Sequence, residues 1–125
     1  MSALPADVHD FLVEHFPSVE ALEIALLLRR APDTFWAAPA AAEHLGIRRD
    51  VAEARLAALC AARLVVRGDQ TGAYRYSPAD DEKRRLMDGL ADAYTNRRVT
   101  VLNVIYSANL ERLRAFSGAF RLKDK

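Results

Sequence analysis

The chain has little cysteine, little glycine and almost no net charge, and each shortage excludes a class of protein. One cysteine, Cys60, excludes an internal disulfide and is typical of a reducing compartment, so we expect a cytoplasmic protein. The five glycines are scattered singly and form no loop of the kind that cradles phosphate. No apolar run approaches the roughly 20 residues that span a bilayer, so we expect no membrane partner.

Motifs for catalysis and for metal binding are also lacking. The sequence has no nucleophile elbow, and His9, His15 and His44 have neither cysteine partners nor the spacing of a zinc site. Cys60 follows Leu56 at helical spacing, which predicts a buried thiol rather than a reactive one. We therefore expect no enzyme activity, no metal and no cofactor.

The net charge is +1, from 18 basic and 17 acidic residues. DNA-binding domains usually carry a strong positive excess, so the total does not favour one. The distribution is more informative, because residues 1–30 hold five acids and two bases whereas residues 81–125 hold six acids and ten bases. The N-terminal part of the chain is therefore acidic and the C-terminal part is basic.

Residues 35–78 carry the clearest structural pattern. Pro39 suits the first turn of a short helix that Gly46 ends, and Asp50 is placed to cap a second helix running to Leu64. Residues 64–67 and 73–76 then read as two strands around a turn at 68–72. This order predicts a mainly α fold with a small β-hairpin wing, a winged helix-turn-helix, which most often binds DNA.

Helical patterns surround this unit. Residues 6–16 and 19–30 predict two helices, the second capped by Ser18 and central to the domain, and Phe35 and Trp36 are expected to anchor the core. A long helix is predicted from residue 80 to about 107, followed by a short one capped by Asn109. We divide the chain into a winged helix-turn-helix domain (1–79) and a C-terminal helical arm (80–125), which form one compact unit.

Short motifs in the central unit resemble those of MarR-type and PadR-type winged-helix transcription regulators. Residues 45–47 read Leu-Gly-Ile, like the turn before the recognition helix in those families. Leu64, Val65 and Arg67 match the run that opens their wing, with Arg63 in place of its glycine. PadR-like proteins follow the wing with a long dimerisation helix, which residues 80–107 resemble. The resemblance spans residues 18–107 and implies a dimeric DNA-binding regulator.

Arginines are the candidate DNA contacts. The predicted recognition helix offers one long basic side chain, Arg55, together with alanines and the acids Asp50 and Glu53, so direct reading of bases should be limited. Phosphate contacts are better supplied, from the start of that helix to the wing. The candidates are Arg48, Arg49, Arg55, Arg63, Arg67 and Arg75. The alternative is a solvated surface in which these arginines pair with nearby carboxylates.

A helix of about 27 residues extends roughly 40 Å, which is longer than a domain of this size, so part of it needs a partner. We expect a homodimer formed through the apolar stripe of the arm. Its residues are Leu86, Leu90, Tyr94, Val101, Leu102 and Ile105. The alternative is a monomer in which residues 96–98 form a bend and the last two helices fold over the core.

Two functions remain open on the sequence. The first is a dimeric, DNA-binding transcription regulator that contacts phosphates with arginines and reads few bases directly. The second is a winged-helix protein–protein interaction module without DNA binding. The alanine-rich recognition helix favours the second, since small side chains permit close approach, and the apolar edge around Phe116 and Phe120 would offer a docking surface.

Overall fold

Helices make up most of the chain, and one small antiparallel sheet accompanies them. The computed structural model describes residues 4–69 and 72–124, with side chains described as far as residue 116. The described helices are α1 (Ala6–His15), α2 (Val19–Arg30), α3 (Ala38–Leu45), α4 (Arg49–Ala61), α5 (Asp81–Asn96) and α6 (Arg98–Asp124), and the strands are β1 (Val65–Arg67) and β2 (Tyr74–Tyr76). The prediction of a mainly helical chain with a small hairpin is confirmed at this level.

Helix α2 lies in the middle of the fold. The Ser18 hydroxyl accepts a hydrogen bond from the Ala21 amide (3.1 Å) and so begins the helix where the sequence predicts. The helix is apolar on nearly every side, and it packs against α3, α4 and β2. Leu22 and Leu28 are fully buried. Helix α2 is therefore the centre of the part of the fold that contains α3, α4 and the hairpin.

The α3–α4 unit follows the predicted order but differs in its ends. Gly46 ends α3 at a φ of 70°, which glycine adopts without strain. Arg48 rather than Asp50 is the N-cap of α4, and Asp50 lies in the first turn. Helix α4 ends at Ala61, short of the predicted Leu64, because Arg63 adopts a left-handed φ of 66°. Arg63 therefore occupies the conformation that favours the glycine it replaces.

The hairpin pairs Val65 with Tyr76 and Arg67 with Tyr74. Trp36 adds a further bridge, since it exchanges two backbone hydrogen bonds with Tyr74 (2.7 and 2.8 Å). The tip of the predicted turn, residues 70–71, lies outside the described residues.

The position of Phe35 differs from the one predicted. It was expected to anchor the interior, but half of its surface is exposed (50%). Its ring lies on the hairpin, beside Gly68, and the Arg75 guanidinium stacks 5.6 Å from the ring centroid. The hairpin is too narrow to cover this ring, so Phe35 stays at the surface while Trp36 packs against the core.

The C-terminal arm consists of two helices, as predicted, but the break between them lies at residue 97 and not near residue 108. Asp80 caps α5 by accepting from the Lys83 amide (2.8 Å), and α5 ends at Asn96 because Arg97 has a non-helical backbone. Helix α6 then continues past residue 109. Asn109 is therefore not a cap, and its side-chain amide donates to the Pro17 carbonyl (2.9 Å).

The arm folds back on the chain. Helices α5 and α6 pack against each other and against α1. Arg85 on α5 contacts Asp7 on α1 (2.9 Å), and this hydrogen bond lowers the pKa of the Asp7 carboxyl. Tyr94 on α5 donates a hydrogen bond to Glu23 on α2 (2.9 Å). The pKa of the Tyr94 phenol is raised, mainly by burial and secondly by this hydrogen bond.

The residues predicted to form a dimer lie mostly in the chain's own core. The buried ones are Leu86, Leu90, Tyr94, Val101 and Ile105. Leu102 is half-buried and packs against the same core. Side chains already covered within one chain offer no surface to a second copy. Their placement matches the alternative in which the last two helices fold over the core.

Within the described residues, no helix combines the length and apolar character needed to cross a membrane.

The two left-handed positions generate a stability prediction. Arg63→Gly should raise the free energy of unfolding by about 1 kcal/mol, because it removes the strain of a positive φ. Gly46→Ala should lower it by about 1 kcal/mol for the opposite reason, although an added Cβ meets no atom within 4 Å. Urea unfolding measures both changes. Arg63→Ala is the control that removes the guanidinium but keeps the strain, and an equal gain from it would contradict the account.

Candidate nucleic-acid interface

The outward face of α4 is acidic and small. Ala52, Leu56 and Leu59 turn inward and are buried. The exposed residues of the opposite side are Asp50, Glu53, Ala54, Ala57, Ala58 and Ala61. Helical spacing places them on one face, spread over about three turns. This face therefore presents two carboxylates and four methyl groups to a partner.

Arg55 does not belong to that face. It lies three residues after Ala52 and four before Leu59, on the flank of α4 that adjoins the core, and it is half-buried. Its Nε is buried and has no hydrogen-bond partner among the described residues. The predicted base contact from Arg55 therefore does not fit its position, because the packing of the inner face sets the direction of its side chain.

Arg48 is held by a neighbouring carboxylate. Its Nε lies 3.0 Å from Asp50 Oδ1 and its Nη2 lies 2.9 Å from Asp50 Oδ2, a two-pronged ion pair. Both side chains are exposed, so the pair contributes little to stability. It does cancel a positive charge at the start of α4. Arg49, the next residue, is exposed and makes no hydrogen bond or ion pair with the described residues.

The hairpin brings a second arginine beside α4. Arg67 on β1 is exposed and lines a cleft of about 560 Å³ together with Asp50, Glu53 and Ala57 of α4. Arg67 also lines a second surface cleft with Arg63, on the side of Pro78. Arg67 thus lies beside the outward face of α4, and Arg63 shares only the second cleft with it.

Arg75 is engaged differently. It lies on β2, is half-buried, and stacks over the Phe35 ring. A cation held over an aromatic face keeps its charge but loses freedom to reach outward. Three of the six predicted DNA contacts are exposed and form no ion pair with described residues: Arg49, Arg63 and Arg67. The other three are engaged within the chain, since Arg48 is ion-paired, Arg55 is half-buried and Arg75 is stacked on Phe35.

The hairpin lies against the end of α2. Tyr76 on β2 is buried beside the ion pair between Arg29 of α2 and Asp88 of α5 (2.9 Å), and burial raises the pKa of its phenol. This contact fixes one end of the hairpin relative to the central helix. Sequence analysis missed the contact, since Arg29 and Asp88 are 59 residues apart.

The described part of the chain contains no cluster of three or more His, Cys, Asp and Glu residues able to hold a metal ion. Cys60 is half-buried rather than fully buried, and it lines the cleft that contains Arg63.

Comparison with known proteins gives no match: no family model matches the chain, and no curated protein or solved structure matches it.

The position of Arg55 generates a prediction. Arg55→Met should raise the free energy of unfolding by about 1 kcal/mol, because it keeps the apolar stem and removes a buried N–H without a described partner. Arg49→Met is the matched control on the same helix and should change stability by less than about 0.5 kcal/mol. Thermal and urea unfolding compare the two. A clear loss of stability in Arg55→Met would show that the guanidinium has a partner in solution.

Proposed function

We propose that this protein is a DNA-binding transcription regulator of the winged helix-turn-helix type that contacts the phosphate backbone and reads few bases directly. The observation that carries the proposal is the continuity of α4 with the hairpin, with Arg49 at one end of the helix and Arg63 and Arg67 at the other end and on β1. In such domains the second helix of the unit enters the major groove and flanking residues contact the backbone.

Phosphate binding is supported at the start of α4. The first turn of a helix presents backbone amides and the positive end of its dipole, and Arg49 adds a free guanidinium there. Arg67 supplies a second contact across the cleft and Arg63 a third. Three phosphate contacts correspond to a slope of about −2.7 for log K against log salt. Binding should therefore be weak at physiological ionic strength and much stronger at low salt.

Base reading is limited by what α4 presents. Bidentate recognition of guanine or adenine needs Arg, Lys, Asn or Gln, and the outward face carries none of these. Glu53 is able to accept a hydrogen bond from cytosine, and the alanine methyls fit beside thymine methyl groups. Direct contacts thus give a small preference among sequences rather than a strict operator.

A second candidate function rests on the same face. Two carboxylates repel phosphate, and four alanine methyls permit another helix or a sheet to approach closely. These features favour a protein–protein interaction module that uses α4 without DNA. The two functions differ in a measurable way, because the second predicts no affinity for duplex at low salt.

Fluorescence anisotropy with a labelled duplex of arbitrary sequence, over a salt series, tests the proposal. The Arg49→Ala/Arg67→Ala variant should bind about tenfold or more weakly at low salt, with a salt slope smaller by about 2. Arg98→Ala/Arg114→Ala is the control that removes two charges from α6, where Arg98 lies over the Tyr94 ring and the Arg114 guanidinium lies 3.6 Å from Glu111. Absence of wild-type binding at low salt, or an equal loss in the control, would overturn the assignment.

Removal of the Asp50 carboxylate gives the opposite prediction. Asp50→Ala should tighten duplex binding several-fold at low salt, because it frees Arg48 and removes a charge that repels phosphate. Asp10→Ala on α1 changes the net charge equally and should leave affinity nearly unchanged. The same anisotropy assay compares them. Equal affinity for all three proteins would show that the α4 face does not meet DNA.

A further inference from the structure

A cleft between α2 and α6 has an apolar lining. Its volume is about 660 Å³, which is within the range of small-molecule sites. Helix α6 supplies Leu102, Ile105 and the ring of Tyr106, which is 67% exposed, and α2 supplies Val19. An exposed aromatic ring beside a cavity of this size offers a contact surface for the apolar part of a ligand.

The α2 side of this cleft carries negative charge that the chain does not neutralise. Glu20 and Glu23 line it, and neither forms an ion pair with the described residues. Glu23 Oε2 accepts a hydrogen bond from the Tyr94 hydroxyl (2.9 Å), a neutral partner that orients the carboxylate and leaves its charge in place. The Arg98 guanidinium stacks 4.4 Å from the centroid of the Tyr94 ring and forms no ion pair with Glu23. The cleft therefore presents an oriented carboxylate next to apolar surface.

A second cleft along α6 differs in its charged groups. It lies between α1 and α6 and has a volume of about 720 Å³. Its acidic residue, Glu111, lies 3.6 Å from Arg114, and its basic residue, Arg112, donates to the Val13 carbonyl (2.9 Å). Because these two groups are engaged within the chain, charge gives the α1–α6 cleft no comparable selectivity for a ligand.

We propose that the α2–α6 cleft binds a small organic cation, a protonated amine with an apolar or aromatic body. The ammonium group lies beside Glu23, with Glu20 as a second carboxylate, and the body packs on Leu102 and Tyr106. Hydrogen bonds between an ammonium group and a carboxylate are stronger than those between neutral groups. A cation held near the face of the Tyr106 ring gains further attraction from its π electrons.

One end of the cleft is fixed by hydrogen bonds within the chain. The Asn109 side chain donates to the Pro17 carbonyl (2.9 Å) and so connects α6 to the turn before α2. Ser18, the next residue, accepts from the Ala21 amide through its hydroxyl. Asn109 and Ser18 both line the cleft. A site whose walls are held in this way loses little affinity to the ordering of its own residues.

The α2–α6 cleft shares no residue with the two clefts beside α4 and the hairpin. The inference therefore goes beyond the proposed function and does not depend on it. Failure to bind an amine would overturn the inference and leave DNA binding as proposed. Absence of affinity for duplex would do the reverse.

Three probes with the same apolar body separate the effect of charge from that of apolar contact: phenylbutylamine, phenylbutanol and phenylbutanoate. Amide chemical-shift titration of the full chain at neutral pH and low salt measures the dissociation constant of each. The amine should bind about tenfold more tightly than the alcohol, and the carboxylate more weakly than either. The shifts should concentrate in residues 18–23 and 102–109. Equal affinity for amine and alcohol, or shifts concentrated in the α1–α6 cleft, overturns the proposal.

Removal of the Glu23 charge tests the role of the carboxylate. Glu23→Gln should weaken binding of the amine about tenfold, to near that of the alcohol, because it removes the charge and keeps an oxygen that accepts from Tyr94. Glu43→Gln is the matched control, since this exposed glutamate on α3 lies outside the cleft and its removal changes the net charge equally. Unchanged affinity in Glu23→Gln, or an equal loss in the two variants, contradicts the assignment.

Two further variants keep the test independent of the Tyr94 hydrogen bond. Glu20→Gln should weaken binding of the amine several-fold and leave binding of the alcohol unchanged. Tyr106→Ala should weaken binding of both probes, because it removes a contact to the apolar body. Circular dichroism checks that each variant keeps its helix content. If a peptide rich in arginine and leucine binds the cleft and the amine does not, the occupant is a protein segment and the proposal is overturned.

Discussion

The burial of α2 is the constraint on which the rest of the structure depends. Its side chains are enclosed by α3, α4 and β2, and Glu23 and Arg29 connect it to α5. Each leucine that is removed from water contributes about 1.5–3 kcal/mol, so Leu22 and Leu28 alone account for a substantial part of the stability of a small domain. A polar residue in the middle of α2 would therefore destabilise the fold, because its polar atoms would be buried without partners.

This packing decides what α4 shows to the outside. Because Ala52, Leu56 and Leu59 must face α2, the carboxylates and alanine methyls of the other side must face solvent. The same requirement directs Arg55 along the core and leaves Arg49 as the free cation of the first turn. The side chains that the candidate interface presents are thus a consequence of how the core packs.

Local signals allowed much of the fold to be predicted from the sequence. Ser18, Gly46 and Asp80 mark helix ends through their own side chains or backbone freedom, and the structure places them at those ends. Contacts between residues that are distant in the sequence were harder to predict. Asparagine is common at helix caps, but the Asn109 side chain donates to the Pro17 carbonyl instead. Phe35 is apolar, but it lies on a hairpin that is too small to cover its ring.

Only part of the arrangement of the candidate residues was predictable from the sequence. The spacing along α4 predicts which residues share a face, but not that Asp50 pairs with Arg48 or that Arg75 stacks on Phe35. The dimer residues show the limit most clearly. The apolar stripe on α5 and α6 has the same sequence pattern whether a second copy or the chain's own α1 covers it. Only the folded structure distinguishes these two arrangements.

We propose that DNA meets the α4–hairpin face through contacts between arginines and phosphates. Amide chemical-shift mapping of the labelled protein with a short duplex at low salt tests it most directly. The largest shifts should occur in the first turn of α4 and along β1, around Arg49 and Arg67, with small shifts in α1. Shifts concentrated on α1 or on the arm, or no shifts at all, would contradict it.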